Sequence, residues 1–382
     1  MPTTHDVIVV GVGAMGAAAS WQLARRGVRI LGIEQFGLVH SMGSSHGHTR
    51  MIRMAYYEHP DYVPLLRRAY ELWDELEQDS NEKILHRTGG IYMGPPTGEV
   101  VAGTTAAAKL HNLPHQTLSH AELARQFPMF MLPAHFTGVW EPQAGFLLCE
   151  KAIALFARLA LESGATLHAH ETVRQIDLQN SHVTITTDRA AYQAEKLIIC
   201  GGAWSAKLLA NLNINLVVTR QALGWLWPQT PAAYALGKFP VWGIEQPDTS
   251  LAYGFPMLSD FPGLKIARHG QGPTTDPDTV NRNPTETDRA EVLNIAKQYL
   301  PTAAGPTLAT KICLYTNSPD GHFIIDHHPA SHRALIAAGF SGHGFKFATV
   351  IGQILADLAT THTTPLPANF LSLARFTNQP TP

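Results

Sequence analysis

The sequence predicts an α/β plus α+β protein. A Rossmann-type domain assembled from discontinuous segments is joined to a second domain built on a mixed β-sheet. Three observations predict it. The chain has 382 residues, too many for one compact core. An apolar, β-branched run near the N-terminus ends in a glycine turn and opens a helix. The same strand-into-glycine pattern returns after Cys200 and after Ala338, on either side of a stretch of different texture.

The first element is Asp6-Val7-Ile8-Val9-Val10, continuously apolar after Asp6 as a strand buried on both faces should be. It enters Gly11-Val12-Gly13-Ala14-Met15-Gly16, and an Ala-rich helix is expected to about Arg26, with Gly27 as its stop. Residues 28–33 form the next strand, which completes a right-handed βαβ unit. After a Gly/Ser/His-rich loop at 37–49, the spacing of Leu65, Leu66, Ala69, Leu72, Trp73 and Leu76 predicts a helix over 62–77. Another is expected over 149–163, with Ile153, Leu155, Phe156, Leu159 and Leu161 available to the core. Alternating strands follow near 166–187, then a buried strand at 196–200 that runs into Gly201-Gly202-Ala203-Trp204. From about 214 to 325, Pro, Trp and Tyr are frequent and few clear helices are evident, so this stretch reads as strands of a second domain. The chain returns to a strand at 335–338 and, through Gly339–Lys346, to a final Ala/Ile/Leu-rich helix. The predicted boundaries are 1–85, 145–213 and 327–382 for the Rossmann-type domain, and 86–144 and 214–326 for the other.

Composition narrows the function. A formal net charge of −2 suggests neither a nucleic-acid partner nor binding to an anionic membrane. Cys149, Cys200 and Cys313 are too few and too scattered for a disulfide framework or a metal site, so no metal is expected. A reducing compartment fits best. The N-terminal run lacks a basic leader, no stretch approaches the roughly 20 apolar residues of a membrane span, and Gln379–Pro382 carries no peroxisomal signal. The cytoplasm is therefore expected.

Gly11, Gly13 and Gly16 fit the dinucleotide fingerprint in its required strand–turn–helix setting. The first glycine permits the tight turn, the second lets backbone approach a pyrophosphate, and the third allows close helix-on-strand packing. The diphosphate then faces the positive end of the helix. Glu34 ends the second strand, where a carboxylate can accept hydrogen bonds from ribose hydroxyls. The motif alone does not separate FAD from NAD.

Three further segments carry a resemblance. Gly43-Ser44-Ser45-His46-Gly47-His48-Thr49-Arg50-Met51-Ile52-Arg53 is similar to the loop after the second strand in monomeric sarcosine oxidases and N-methyltryptophan oxidases. Lys311–Asp320, followed by His322–Asp326, resembles the family's flavin-attachment segment, and Gly339–Phe347 its C-terminal flavin loop. The likeness runs from residue 5 to about 360 in the same order and spacing. Two departures stand out: Ser45 and His48 replace a histidine and an aspartate of the usual loop.

The resemblance implies FAD as cofactor, held by Gly11, Gly13, Ala14, Met15, Gly16, Glu34 and Gln35 at the nucleotide end. Ser44, Ser45, His46 and Arg50 come from the loop, Val173 from the strands near 166–187, and Gly201, Gly202 and Trp204 from the second glycine turn. Gly342, Gly344, Phe345 and Lys346 complete the set. A lone cysteine among apolar neighbours is ordinarily a small buried hydrophobe; the resemblance instead makes Cys313 the donor of an 8α-S-cysteinyl link to the flavin.

The resemblance also implies the reaction groups. Arg53 and Lys346 clamp a substrate carboxylate, since a guanidinium can hold one through two parallel hydrogen bonds, while Arg50 lies against the flavin. Lys265 alternates with Leu264 and Ile266, so it projects to the opposite face of its strand; in the family it is the cation that favours electron transfer to oxygen. His269, four residues on, faces the same side and positions or deprotonates the amine. His343, Tyr253 and Tyr315 match pocket-lining positions. Pro240-Val241-Trp242-Gly243-Ile244 matches poorly and is expected to help shape the pocket.

The implied activity is an FAD-dependent oxidase of a small secondary amine, giving an imine and hydrogen peroxide. Sarcosine is favoured by the segment Asp276–Arg282; N-methyltryptophan and a cyclic imino acid such as proline or pipecolate are alternatives. Substrate and oxygen are the expected partners, and the protein a monomer. An NAD-dependent dehydrogenase would share the fingerprint without needing the Cys313 segment, and a non-catalytic flavoprotein would bind FAD without turnover.

Overall fold

The computed structural model describes residues 4–261 and 263–377; the segment Gln379–Pro382 lies outside them. The Thr4–Val10 strand is the hub of an eight-stranded sheet. It pairs in parallel with Ile30–Ile33 on one side and with Ala191–Ile199 on the other. The latter strand is long enough to take two partners along one edge. Its first half pairs antiparallel with Val183–Thr187 and its end pairs parallel with Ser331–Ala338. Strands far apart in sequence therefore meet in one sheet, as the discontinuous layout requires.

Helices Ala14–Ala24, Tyr62–Ser80, Cys149–Glu162 and Ala348–Thr361 cover one face. Trp21, Trp73 and Phe156 meet there with ring centroids 5.5 Å apart in each Phe156 pair. The opposite face buries Ile8, Val10, Leu31, Ile199 and Ile336. Such two-sided burial explains why these strands read as unbroken apolar runs.

A second eight-stranded sheet runs from Thr307–Asn317 through Val217–Leu226, Leu264–His269, Leu251–Gly254 and Val241–Glu245 to Gly90–Gly94, Thr137–Glu141 and Gln116–Leu118. It is mixed, because Val241–Glu245 pairs in parallel with Gly90–Gly94 while its other partner is antiparallel. A three-stranded sheet of Thr49–Ile52, Gly145–Leu148 and Leu85–Arg87 completes the strands.

Four details depart from the sequence reading. The second strand begins at Ile30 rather than residue 28, and the first helix ends at Ala24, with Gly27 at φ +79° in the turn. In the helix from Cys149, Ile153, Leu155 and Phe156 are buried but Leu161 is 45% exposed, because it falls on the solvent side. The stretch read as strands with few clear helices contains the 14-residue helix Glu286–Tyr299. Its start is a capping box in which Thr285 and Asp288 satisfy each other's backbone N–H. Its apolar stripe is thin, and it docks where Gly224 leaves space: a Cβ there would lie 2.5 Å from Val292.

Candidate active site

The glycine turn builds the nucleotide end from backbone. Gly11 has φ +85°, and an added Cβ would lie 2.4 Å from the Cys200 carbonyl oxygen. A Cβ on Gly16 would come within 1.8 Å of the Gly11 carbonyl oxygen, so the helix can approach the strand only without one. Gly13 differs, since a Cβ there meets nothing within 4 Å; it faces a cavity of about 630 Å³. Glu34 is buried, accepting from the N–H of Val12 at 2.9 Å and of Phe36 at 3.0 Å. It braces the turn as well as facing the cavity.

This cavity is lined by Gly11, Gly13, Ala14, Met15, Glu34 and Gln35, by Ser44, Ser45 and Arg50, and by Val173, Gly201, Gly202 and Trp204. Gly342, Gly344, Phe345 and Tyr315 close its far end. Gly342 lies at φ +77°, and a Cβ would sit 2.4 Å from the Tyr315 ring. An open glycine opposite a helix start, a ribose-side carboxylate and a long cleft fit a dinucleotide such as FAD. Gly16 and His46 do not line the cleft: Gly16 packs behind the turn, and His46 is 2% exposed with no hydrogen-bond partner on either ring nitrogen.

A smaller cavity of about 70 Å³ adjoins the cleft, with Arg50, Tyr315, Gly342 and Phe345 lining both. Its remaining walls include Arg53, Tyr253, His269, Cys313, His343 and Lys346. Residues 50 and 313, remote in sequence, meet at the junction. Arg50 Nη2 lies 3.5 Å from Cys313 Sγ and donates to the Ser44 carbonyl at 2.8 Å, and the thiol reaches the same carbonyl at 3.4 Å.

Arg53 is 3% exposed and pairs with Glu58, while donating to the Ala55 carbonyl at 2.9 Å. The rings of Tyr56 and Tyr57 flank its guanidinium at 4.4 and 4.2 Å. Burial would raise the Glu58 pKa, but Arg53, His343 and Lys346 outweigh it and hold the carboxyl at about 2. Lys346 donates to the His343 carbonyl at 2.9 Å and contacts the Tyr56 hydroxyl at 3.5 Å. Burial, then Arg53, lowers its pKa to about 7.

His343 Nε2 lies 3.0 Å from the Gly321 carbonyl, which can only accept, so this nitrogen carries the proton. Nδ1 is then left to accept from the Tyr56 hydroxyl at 2.5 Å. The ring is thus engaged at both nitrogens. His269 Nδ1 lies 3.3 Å from the Tyr315 hydroxyl, its ring centroid is 6.5 Å from that of His343, and burial lowers its pKa to about 4.

Lys265 lines neither cavity. It is 2% exposed and directs Nζ at the Gly47 and Thr49 carbonyls, each at 2.7 Å. The 241–244 segment contributes no wall either, contrary to expectation. Its side chains fill the core behind, and Gly243 pairs with Tyr253, which does line the cavity.

Sequence reasoning missed Glu58, Tyr56, Tyr57 and Glu150. Only Glu58 left a signal, as a lone acid after an apolar and aromatic run. Glu150 accepts from the Gly47 and His48 N–H groups and so ties the loop to the helix that begins at Cys149.

Among the described residues no cluster of His, Cys, Asp or Glu could hold a metal ion, and no helix is long and apolar enough to cross a membrane. Residues 6–358 match the family model of FAD-dependent oxidoreductases. The chain is 37% identical over 388 residues to a monomeric sarcosine oxidase of Streptomyces avermitilis, with all of both chains covered. It is 34% identical to an N-methyl-L-tryptophan oxidase of Yersinia pestis, over 97% of this chain and 99% of that one. Its fold is similar to the crystal structure of NikD, an amino acid oxidase essential for nikkomycin biosynthesis, with a TM-score of 0.84, 27% identity and 97% of each chain covered. FAD is therefore the dinucleotide that the turn, the cleft and the adjoining charged cavity serve, and the chain belongs to the FAD-dependent oxidoreductases.

Proposed function

We propose that the protein oxidises a small secondary amino acid, with sarcosine as the substrate of best fit, and returns the electrons to oxygen as hydrogen peroxide. One observation carries the reading. Away from Arg50, which sits where the small cavity meets the cleft, two buried cations, Arg53 and Lys346, face one carboxylate, Glu58, which leaves one unit of positive charge there for a substrate carboxylate to match while Lys346 is protonated. A volume of about 70 Å³ suits a small amino acid, and an indole side chain would require its walls to move.

FAD supplies the two-electron acceptor. The protein orients the substrate: with the carboxylate at Arg53 and Lys346, the amine is directed toward His269 and Tyr315. His269 is neutral near pH 7, with its pKa lowered by burial to about 4, so it can accept a hydrogen bond from the amine and position it, while being too weakly basic to hold its proton. Water hydrolyses the released imine; for sarcosine the products are glycine and formaldehyde. Lys265 supports reoxidation by its positive charge rather than by touching substrate.

We assign Cys313 as the covalent flavin donor, supported by its place on the wall of the small cavity, 3.5 Å from Arg50, which lines both cavities. The nucleotide domain comprises 1–85, 145–213 and 327–382, and the substrate domain 86–144 and 214–326. A monomer fits the monomeric relatives, and a cytoplasmic location fits three free cysteines.

The test is anaerobic mixing with sarcosine, N-methyltryptophan, proline and pipecolate while flavin absorbance is followed. Sarcosine should bleach the flavin fastest. Bleaching by none of the four would remove the proposed activity, and preference for N-methyltryptophan would remove the size argument. For Cys313→Ala, acid precipitation should release the flavin that the wild-type pellet retains.

A further inference from the structure

Lys265 poses an electrostatic problem. Its ammonium is buried, and all three donors go to neutral oxygens: the Gly47 and Thr49 carbonyls at 2.7 Å and Thr49 Oγ1 at 3.3 Å. A buried ammonium without a counter-charge is costly, commonly by several kcal/mol. Among the described residues no carboxylate bonds it directly.

The missing charge lies on the other side of the same loop. Glu150 Oε1 accepts from the Gly47 N–H at 2.6 Å, and Oε2 accepts from the His48 N–H at 2.9 Å. The Cys149 thiol donates to Oε2 at 2.9 Å. The Cys149 N–H donates back to the His48 carbonyl at 2.9 Å, which locks the loop to the helix. The peptide between residues 47 and 48 therefore has its carbonyl on Lys265 and its N–H on Glu150. Its dipole, about 3.5 D, points the way that stabilises both charges.

We propose that Glu150 is the counter-ion of Lys265, acting through the Gly47–His48 peptide, and is thereby a positioning residue for flavin reoxidation. This rests on the role given to Lys265 above. The other groups around Lys265 are His46 and His48 on the loop, Arg50 on the Thr49–Ile52 strand, Cys149 on the helix and Cys313 on the 307–317 strand, and Lys311 of that strand lies over the same Trp225 ring. Phe255 and Trp225 offer ring faces at 4.8 and 5.6 Å. Burial, then Arg50, brings the Lys265 pKa down to about 7, and Glu150 acts against that fall. Removing the Glu150 charge must lower it further, so that near neutral pH most molecules lose the cation.

The experiment compares wild type, Lys265→Met, Glu150→Gln and Glu150→Asp as flavin-loaded enzymes in stopped flow. Flavin reduction by substrate and reoxidation by oxygen are measured separately from pH 5.5 to 9. Glu150→Gln should slow reoxidation about tenfold at pH 7.5 and move its midpoint down by about one pH unit, with reduction changed less than about twofold. Glu150→Asp keeps the charge and should keep the wild-type midpoint. A loop-packing role alone would slow both half-reactions and leave the midpoint in place. If Lys265→Met reoxidises normally, the role of Lys265 fails and the inference with it. If Lys265→Met is slow but Glu150→Gln retains the wild-type rate and midpoint, only the inference fails. Should Glu150→Gln not fold, Glu150→Ser, which also removes the charge, takes its place, and an unshifted midpoint there would overturn the inference equally.

Discussion

The two ends of the cleft are made of different materials. At the nucleotide end, recognition belongs to backbone: three glycines, a helix start and a carboxylate that also braces the turn. At the reaction end it belongs to side chains delivered from distant segments. Arg50 comes from the Thr49–Ile52 strand and Arg53 from the residue that follows it, His269 from the second sheet, and Lys346 from the C-terminal segment. A backbone site tolerates almost no added volume but carries little stored charge. A side-chain site tolerates shape changes poorly for another reason: each buried charge is held by a partner, so removing one strands the other.

The largest expected effect separates two glycines of a single motif. Gly16→Ala places a carbon where the Gly11 carbonyl already sits, so the helix must retreat from the strand at a cost of about 1–3 kcal/mol or more. Flavin content should fall more than about tenfold and the melting temperature should drop with it. Gly13→Ala adds its carbon to open space at φ −73°, where side chains are comfortable. It should melt like wild type and yet lose the flavin, because the new methyl occupies the pyrophosphate's path. Absorbance ratio and thermal denaturation on both variants decide the matter; equal stability losses would break the distinction between a packing glycine and a ligand-facing one.

Arg53→Met sharpens the contrast from the other end. Losing a charge-assisted contact, about 1.5–3 kcal/mol, should raise KM for sarcosine by about 10- to 150-fold. It should also destabilise the fold, because Glu58 is left buried without its partner, which typically costs about 3–5 kcal/mol. The double variant Arg53→Met/Glu58→Gln should recover much of the stability while KM stays high. Recovery of KM in the double variant would mean that Glu58, rather than the missing cation, had excluded the substrate.

This division explains how much of the molecule was legible in its sequence. Val7–Val10 and Gly11–Gly16 announce themselves because a doubly buried strand and a backbone turn restrict residue type at consecutive positions. Glu286–Tyr299 was missed because its cap uses Asp288 and its stripe covers a narrow strip of sheet. The individual reaction residues could be named only through the resemblance: nothing in the local pattern tells Lys265, buried at the loop, from an ordinary strand lysine. Glu150, which follows Cys149 at the start of an ordinary amphipathic helix, gave no sign that its carboxylate turns back to residues 47 and 48. Partnerships across a hundred residues are properties of the fold, and no spacing rule encodes them.

The smallest effect concerns the Lys346 half of the carboxylate clamp. Burial, then Arg53, lowers the Lys346 pKa to about 7 from the ordinary lysine value. Below that pH the side chain is an ammonium and the Arg53–Lys346 end of the cavity carries an unmatched positive charge; above it the amine is neutral and Arg53 and Glu58 cancel there, while Arg50 keeps its charge at the junction with the cleft throughout. A small carboxylate without an amine, such as propionate, therefore isolates this group from titration of the substrate nitrogen. Its Kd, read from the perturbed flavin spectrum, should rise by about three- to tenfold between pH 6 and 8.5, within the energy of one partly screened charge contact. The bound anion favours the protonated lysine, so the midpoint in the complex must lie above that of the free enzyme. Lys346→Met should abolish the pH dependence and bind at all pH values as the wild type does at pH 8.5. A Kd that falls as pH rises would place the unmatched charge on some other group and break the link between the buried cations and carboxylate recognition.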